Sequence, residues 1–179
     1  MFIEKQYMIN RHFMFMRGHY DRNGKQCTEI NEASRLFIVD RAPLEVLSDS
    51  IRCIGFNLRG AMETSRSLLG DVHMCPIMVN PIHKIVLFPT RSPKHDETIW
   101  LNPAQIKRTT SINRKTFIEF YNGCTLIIPT RLCSFNHKLK IAEQFKDMMI
   151  ETAENPFSSF QDKHKRKRVK VTNLNLKKN

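Results

Sequence analysis

The chain has 179 residues, of which 41% are hydrophobic and 26% charged, and its 29 basic and 17 acidic residues give a formal net charge of +12. These proportions are typical of a globular domain and argue against a wholly disordered chain. No apolar run approaches the roughly 18 residues of a membrane span, and no secretory pattern opens the chain, so we expect neither a membrane protein nor an exported one.

The first forty residues are predicted to form short strands joined by turns. Tyr7–Ile9 and Phe13–Met16 are apolar runs of strand length, and Arg35–Asp40 is rich in strand-forming residues. Asp21–Gly24 is typical of a hairpin turn, because Asn and Gly tolerate positive φ.

Two helical segments follow. Pro43–Leu47 is predicted to be a short helix with Pro in its first turn. Leu58–Leu69 has apolar residues at helical spacing and is followed by Gly70, a predicted C-cap. Arg59 and Arg66 lie off the apolar stripe, either on an ordinary solvated face or on a basic ridge that faces DNA.

The middle of the chain alternates strand and turn signals. Pro76–Val79, Lys84–Phe88 and Ile99–Leu101 are predicted strands, and 91–97 is a predicted surface loop. Gln105–Asn113 is predicted to be extended and basic.

A hairpin and a helix are predicted next. Residues 115–121 and 125–128 are β-rich and flank Asn122-Gly123, the strongest hairpin signal in the chain. The periodicity then predicts an amphipathic helix over 134–154, capped by Ser134 or Asn136 and ended by Pro156. Together these elements predict an α+β fold. A strand-rich antiparallel domain over 1–155 has a short internal helix and one C-terminal amphipathic helix, and a basic, flexible tail covers 156–179.

The positive charge is concentrated at the C-terminal end. Residues 163–179 contain eight basic residues and no acidic one, which leaves +4 on residues 1–162. Such a run cannot form a core element, because its charges repel one another. We expect a phosphate-binding arm that releases counterions from nucleic acid. The alternatives are a solubilising tail or contact with anionic lipid, for which no amphipathic or lipidation signal is present.

The five cysteines are widely spaced and form no Cys-x-x-Cys pair, so no zinc ribbon is predicted. We expect buried, reduced thiols in a cytosolic protein.

No catalytic motif stands out in the sequence. Gly55–Gly60 lacks the Lys-Ser/Thr of a phosphate-binding loop, and His73–Pro76 lacks the partners of a metal site. His95-Asp96-Glu97 is interpreted as a solvated loop triplet. We therefore expect no enzyme, no cofactor and no metal, although the fold can still bring distant carboxylates together.

A set of short motifs covers residues 35–145. These are Cys53-Ile54-Gly55 with Gly60, Pro76–Pro81, Ile85–Ser92 with Trp100, Phe120–Pro129 and Ser134–Asn136. The set resembles the ComK family of competence transcription factors of low-GC Gram-positive bacteria. The first 30 residues and residues 156–179 do not share the likeness.

The resemblance implies a cytoplasmic, nucleoid-associated activator of genes for DNA uptake and recombination. Its partners would be double-stranded DNA, further copies of itself and a proteolytic adaptor protein, with no membrane. The family reads paired AT-rich boxes largely from the minor groove, where Arg and Lys sense groove width and potential. Two boxes call for two protomers.

We predict that basic residues near loops, together with the tail cluster, contact DNA, mostly at phosphates. Arg91 and Arg108 are the candidates for insertion into the minor groove. The full set is Arg59, Arg66, Lys84, Arg91, Lys94, Lys107, Arg108, Arg114, Lys115, Lys163, Lys165, Arg166, Lys167 and Arg168. The alternative functions are a general, charge-driven nucleic-acid binder and, ranked last, a small metal-dependent nuclease.

Overall fold

A computed structural model describes residues 3–70 and 72–155. The strands are β1 (Ile3–Glu4), β2 (Phe13–Tyr20), β3 (Gln26–Glu32), β4 (Leu36–Val39), β5 (Ile77–Asn80), β6 (Ile85–Pro89), β7 (Ile99–Leu101), β8 (Ile106–Ile112), β9 (Lys115–Phe120) and β10 (Thr125–Ile128). The helices are α1 (Pro43–Arg52), α2 (Leu58–Leu69) and α3 (Leu132–Glu154), with a 3-10 turn at Pro103–Gln105. The predicted α+β class is confirmed.

The strands form two sheets. The larger has seven strands in the order β1-β4-β3-β2-β7-β6-β5, and the smaller has three in the order β10-β9-β8. All neighbours are antiparallel except β1 and β4. Among the described residues, 3–70 and 72–146 form one compact unit, and 147–155 fall in a second unit.

Both faces of the seven-stranded sheet are covered, so its strand β6 is buried along its length. Ile85 and Leu87 share one core with Val46 and Leu47 of α1, against which α2 also packs. The side chains of β6 that alternate with these lie on the other face of the sheet. There Phe88 lies against Phe135 of α3, with ring centroids 5.7 Å apart. Burial on two sides explains why this strand is continuously apolar rather than alternating.

An aromatic pair joins the smaller sheet to the larger one. Phe120 of β9 stacks on Phe15 of β2 with ring centroids 5.3 Å apart. The turn between β9 and β10 has Gly123 at φ 86°, as the Asn-Gly signal predicts. The hairpin over 115–128 is therefore confirmed.

The predicted strand at Tyr7–Ile9 is wrong. Its side chains at Tyr7 and Ile9 are buried, but the segment pairs with no strand among the described residues. Instead the Tyr7 hydroxyl donates to Glu32 at 2.7 Å, and the Ile9 N–H donates to the Ser50 hydroxyl at 3.0 Å. Side-chain acceptors thus replace a strand ladder as partners for this segment.

Two helix boundaries also differ from the prediction. α1 continues from Leu47 to Arg52, because Ile51 extends the stripe of buried residues. α3 begins at Leu132, so Ser134 and Asn136 lie inside the helix and neither caps it. Gly70, at φ 77°, is the C-cap of α2 as predicted.

Burial is predicted wrongly for most of the cysteines. All five are free thiols, but only Cys27 is buried, while Cys75 is intermediate. Cys53, Cys124 and Cys133 are exposed because they lie at the end of α1, in the β9–β10 turn and in the first turn of α3. An apolar neighbour in sequence does not bury a residue at the end of an element.

Within the described ranges, no helix has the length and apolar character needed to cross a membrane.

Candidate nucleic-acid interface

Lys107 and Arg108 meet at one carboxylate on the β8–β9 pair. The Lys107 ammonium lies 2.7 Å from Glu119, and the Arg108 guanidinium lies 2.8 Å from its other oxygen. Consecutive residues of a regular strand point to opposite faces, but β8 shifts register between Ile106 and Arg108. The bulge places an extra residue of β8 opposite β9. Because of this, the side chains of both Lys107 and Arg108 reach Glu119.

This carboxylate is strongly held in its charged form. Hydrogen bonds from Lys107 and then Arg108 lower the pKa of Glu119 below its ordinary value. Together with Glu119, the two cations therefore carry a combined net charge of +1. Such a pair can contact a phosphate as a pre-ordered group, although the phosphate must compete with the carboxylate.

The turn between β8 and β9 projects two further basic residues. Asn113 and Arg114 have φ values of 48° and 61°, which is the geometry of a tight primed turn. Arg114 and Lys115 are exposed there. Arg114 also lines a depression of about 410 Å³ together with Arg131, which immediately precedes α3. We call Arg114, Lys115 and Arg131 the hairpin tip.

No carboxylate forms an ion pair with the hairpin tip within the described part of the chain. Its positive charge is therefore available to an outside anion. Arg131 was not among the residues predicted from the sequence. The signal for it was its place just before a helix, where backbone N–H groups also favour anions.

The two arginines of α2 differ in their partners. Arg59 forms an exposed ion pair with Glu63 at 2.9 Å, whereas Arg66 is exposed in the last turn without an ion pair in the described ranges. Seven positions separate them, so they lie about 10.5 Å apart along the helix axis and on the same side of the helix. Arg66 is the more available cation of the two.

Lys84 and Lys94 are exposed on loops. Lys84 has φ 55° in the turn between β5 and β6, and Lys94 lies between β6 and β7. Neither forms an ion pair with a described residue. The structure places them on other elements than the β8–β9 hairpin.

Arg91 lies in a groove of about 550 Å³ whose charges largely cancel. Its guanidinium is 3.0 Å from Glu97. Arg17 is 2.9 Å from Glu29, and in the same groove Asp96 raises the pKa of the Tyr20 hydroxyl. Both arginines predicted to enter the minor groove, Arg91 and Arg108, are thus paired with a carboxylate.

Of the predicted DNA contacts, the fold brings four onto one hairpin: Lys107, Arg108, Arg114 and Lys115. The tail cluster Lys163, Lys165, Arg166, Lys167 and Arg168 lies outside the described residues. Residues 3–70 and 72–155 contain no group of three or more His, Cys, Asp or Glu arranged to hold a metal ion.

Comparison with known proteins gives a family and a relative. The sequence model of the family described as ComK protein matches residues 4–154. A curated protein of Bacillus subtilis (strain 168), named Competence transcription factor, is 30% identical over 119 residues, which are 65% of this chain and 62% of the relative. The match therefore spans less than two thirds of the relative's length. No solved structure matches the chain.

Proposed function

The chain belongs to the ComK protein family, and from this membership we propose that it is a DNA-binding transcriptional activator of competence genes. The relative's name, Competence transcription factor, supports regulation of transcription rather than an enzymatic role. The single observation on the chain itself that carries the proposal is the hairpin tip, where three cations have no carboxylate partner among the described residues.

We propose that the target is a pair of AT-rich boxes read largely from the minor groove. The hairpin tip would contact phosphates and set the register of the protein on the duplex. Lys107 and Arg108, which are both paired with Glu119, would contact the duplex farther along the same pair of strands. To enter the minor groove of DNA, Arg108 would have to break its ion pair with Glu119, and Arg91 would have to break its ion pair with Glu97.

The proposal is tested with full-length protein and three duplexes of equal length: paired AT boxes at several spacings, scrambled AT-rich DNA and GC-rich DNA. Affinity is measured across a range of salt concentrations, since phosphate contacts make binding salt-dependent. A preference for one spacing of the paired boxes is expected. Equal affinity for all three duplexes would contradict specific recognition and favour the charge-driven binder.

Paired Arg114→Ala and Lys115→Ala substitutions test the hairpin tip. We expect weaker binding to all three duplexes and a salt slope smaller by about 0.9 for each phosphate that is no longer neutralised. Arg22→Ala is the matched control, because Arg22 is an exposed turn arginine of the larger sheet. Equal effects of the two variants would show that the hairpin tip has no special role.

Three further parts of the proposal concern partners and place. Two boxes require a homo-oligomer, which sedimentation with and without DNA measures.

A proteolytic adaptor would be located by short deletions that lengthen the protein's half-life. A cytoplasmic, nucleoid-associated distribution is tested by imaging a tagged copy beside stained DNA.

A metal-dependent nuclease is the least favoured alternative. It predicts cleavage of duplex DNA that a chelator abolishes. Intact DNA after incubation with divalent cations would leave the activator and the charge-driven binder as the two candidate functions.

A further inference from the structure

A cavity of about 390 Å³ lies between residues 72–76 and the first turns of α3. It has the size and mixed lining of sites that take small molecules. No carboxylate is among the described residues that line it. Three apolar and three basic side chains contribute most of the wall: Val72, Met74, Ile141, His73, His137 and Lys138.

Lys138 is a half-buried cation with no anionic partner among the described residues. Its ammonium donates to the carbonyl oxygen of Thr90 and lies 3.6 Å from the sulfur of Met74, and it forms no ion pair with a described residue. Burial, and then the charge of Arg91, lower the pKa of Lys138. Thr90 and Met74 cover part of Lys138, so the lysine is only partly open to solvent.

The segment that covers Lys138 is itself strained. Met74 has φ 59°, a conformation that residues other than glycine rarely adopt. This backbone brings the Met74 sulfur onto the ammonium. Strain of this kind persists where the surroundings impose it, and it is concentrated at ligand sites.

We propose that this cavity binds a single phosphoryl oxyanion, with Lys138 as its charge partner and the imidazoles of His73 and His137 as further donors. Three donor groups suit the three terminal oxygens of a phosphate better than the two of a carboxylate. The apolar lining suits the organic part of a small phosphate ester. The site does not depend on the proposed transcriptional role.

The first experiment compares thermal unfolding of the full-length protein in inorganic phosphate and in chloride at equal ionic strength. Trp100, the single tryptophan, is fully buried and reports unfolding by fluorescence. At a phosphate concentration about 100 times the Kd, Tm is expected to rise by roughly 5–10 °C over chloride. Lys138→Met should abolish this rise, whereas Lys140→Met, at an exposed lysine of the same helix, should keep it.

Lys138→Met is expected to fold, because it removes a half-buried charge that has no carboxylate partner within residues 3–70 and 72–155. A second readout needs no variant. Phosphate should shift the imidazole NMR signals of His73 and His137 in the parent protein and leave those of His12 and His19 unchanged. Equal phosphate effects on the two lysine variants, or on all four histidines, would overturn the proposal.

A DNA-binding experiment distinguishes two sources of the phosphoryl group, which are the duplex backbone and a free phosphate or small ester. If the source is the duplex backbone, Lys138→Met should weaken DNA binding and reduce the salt slope by about 0.9, while Lys140→Met should not. If the source is free phosphate or a small ester, the Tm rise should appear and DNA affinity should be unchanged. The absence of both effects would exclude an oxyanion site here.

Discussion

Glu32 is the one buried carboxylate among the described residues, and three neighbours keep it ionised. It accepts hydrogen bonds from Tyr7 at 2.7 Å, from Asn10 at 2.6 Å and from Arg35 at 2.6 Å. Burial alone would raise the pKa of Glu32, but these hydrogen bonds outweigh it and lower the pKa. The network also ties the unpaired N-terminal segment to β3.

Glu32→Gln is expected to destabilise the protein by about 1–3 kcal/mol at pH 7, because charge-assisted hydrogen bonds are removed. A carboxylate with a lowered folded pKa stabilises above its unfolded pKa, about 4.3, and this stabilisation disappears as pH falls through the folded value. The stability of the parent should therefore fall more than that of the variant on acidification from pH 5 to pH 3.

Urea unfolding followed by Trp100 fluorescence at several pH values measures both effects. Parallel pH profiles for the parent and Glu32→Gln would contradict the role assigned to this carboxylate. Glu63→Gln is the control, since among the described residues Glu63 forms only the exposed pair with Arg59.

At the level of elements, the buried aromatic side chain of Phe135 packs α3 against the larger sheet. Phe135 is buried and contacts Phe88 of β6, while Ala142 and Phe145 continue the same buried stripe. The stripe follows helical spacing, and it also sets Lys138 beside Thr90. Packing of the helix thus determines where this lysine lies.

Phe135→Ala is expected to cost about 3–5 kcal/mol, because it removes a large buried side chain and leaves a cavity. Phe56→Ala is the matched control, since Phe56 is 58% exposed, and it should change stability by no more than about 0.5 kcal/mol. Chemical denaturation compares the two. A similar cost for both would show that α3 does not depend on its packing against Phe88.

At the scale of the whole molecule, the basic residues differ in whether a carboxylate neutralises them. In the described ranges, Lys107, Arg108, Arg91 and Arg59 each contact a carboxylate, whereas the hairpin tip contacts none. The sequence adds five closely spaced cations between Lys163 and Arg168. The net charge of +12 therefore overstates the charge of the described domain, because eight of the basic residues lie in 163–179.

Neutralising the tail cluster to Gln in the full-length protein tests its contribution. The replaced residues are Lys163, Lys165, Arg166, Lys167 and Arg168. We expect lower affinity for all duplexes, a salt slope smaller by about 0.9 for each phosphate left without its cation, and an unchanged preference for paired boxes. Lys177→Gln with Lys178→Gln is the control outside the cluster. An unchanged salt slope would make the cluster a solubilising segment.

The sequence by itself determined several local features of the described residues. The Asn122-Gly123 turn, the cap at Gly70 and the strand predicted at Lys84–Phe88, which the structure has at Ile85–Pro89, follow from backbone preferences and from the apolar pattern. Family membership was also readable there, since the motifs over 35–145 lie within the matched residues 4–154.

Apart from the helical pair of Arg59 and Glu63, only the tertiary structure decided which charged groups are neutralised. Glu119 lies 11 residues after Arg108 in the sequence, and a bulge in β8 is needed to bring Lys107 to it as well. Arg91 meets Glu97 through a folded loop, and Lys138 is covered by Met74, 64 residues away. Periodicity reports which face of an element is buried, but charge pairing depends on register and long-range packing, which neighbouring residues do not encode.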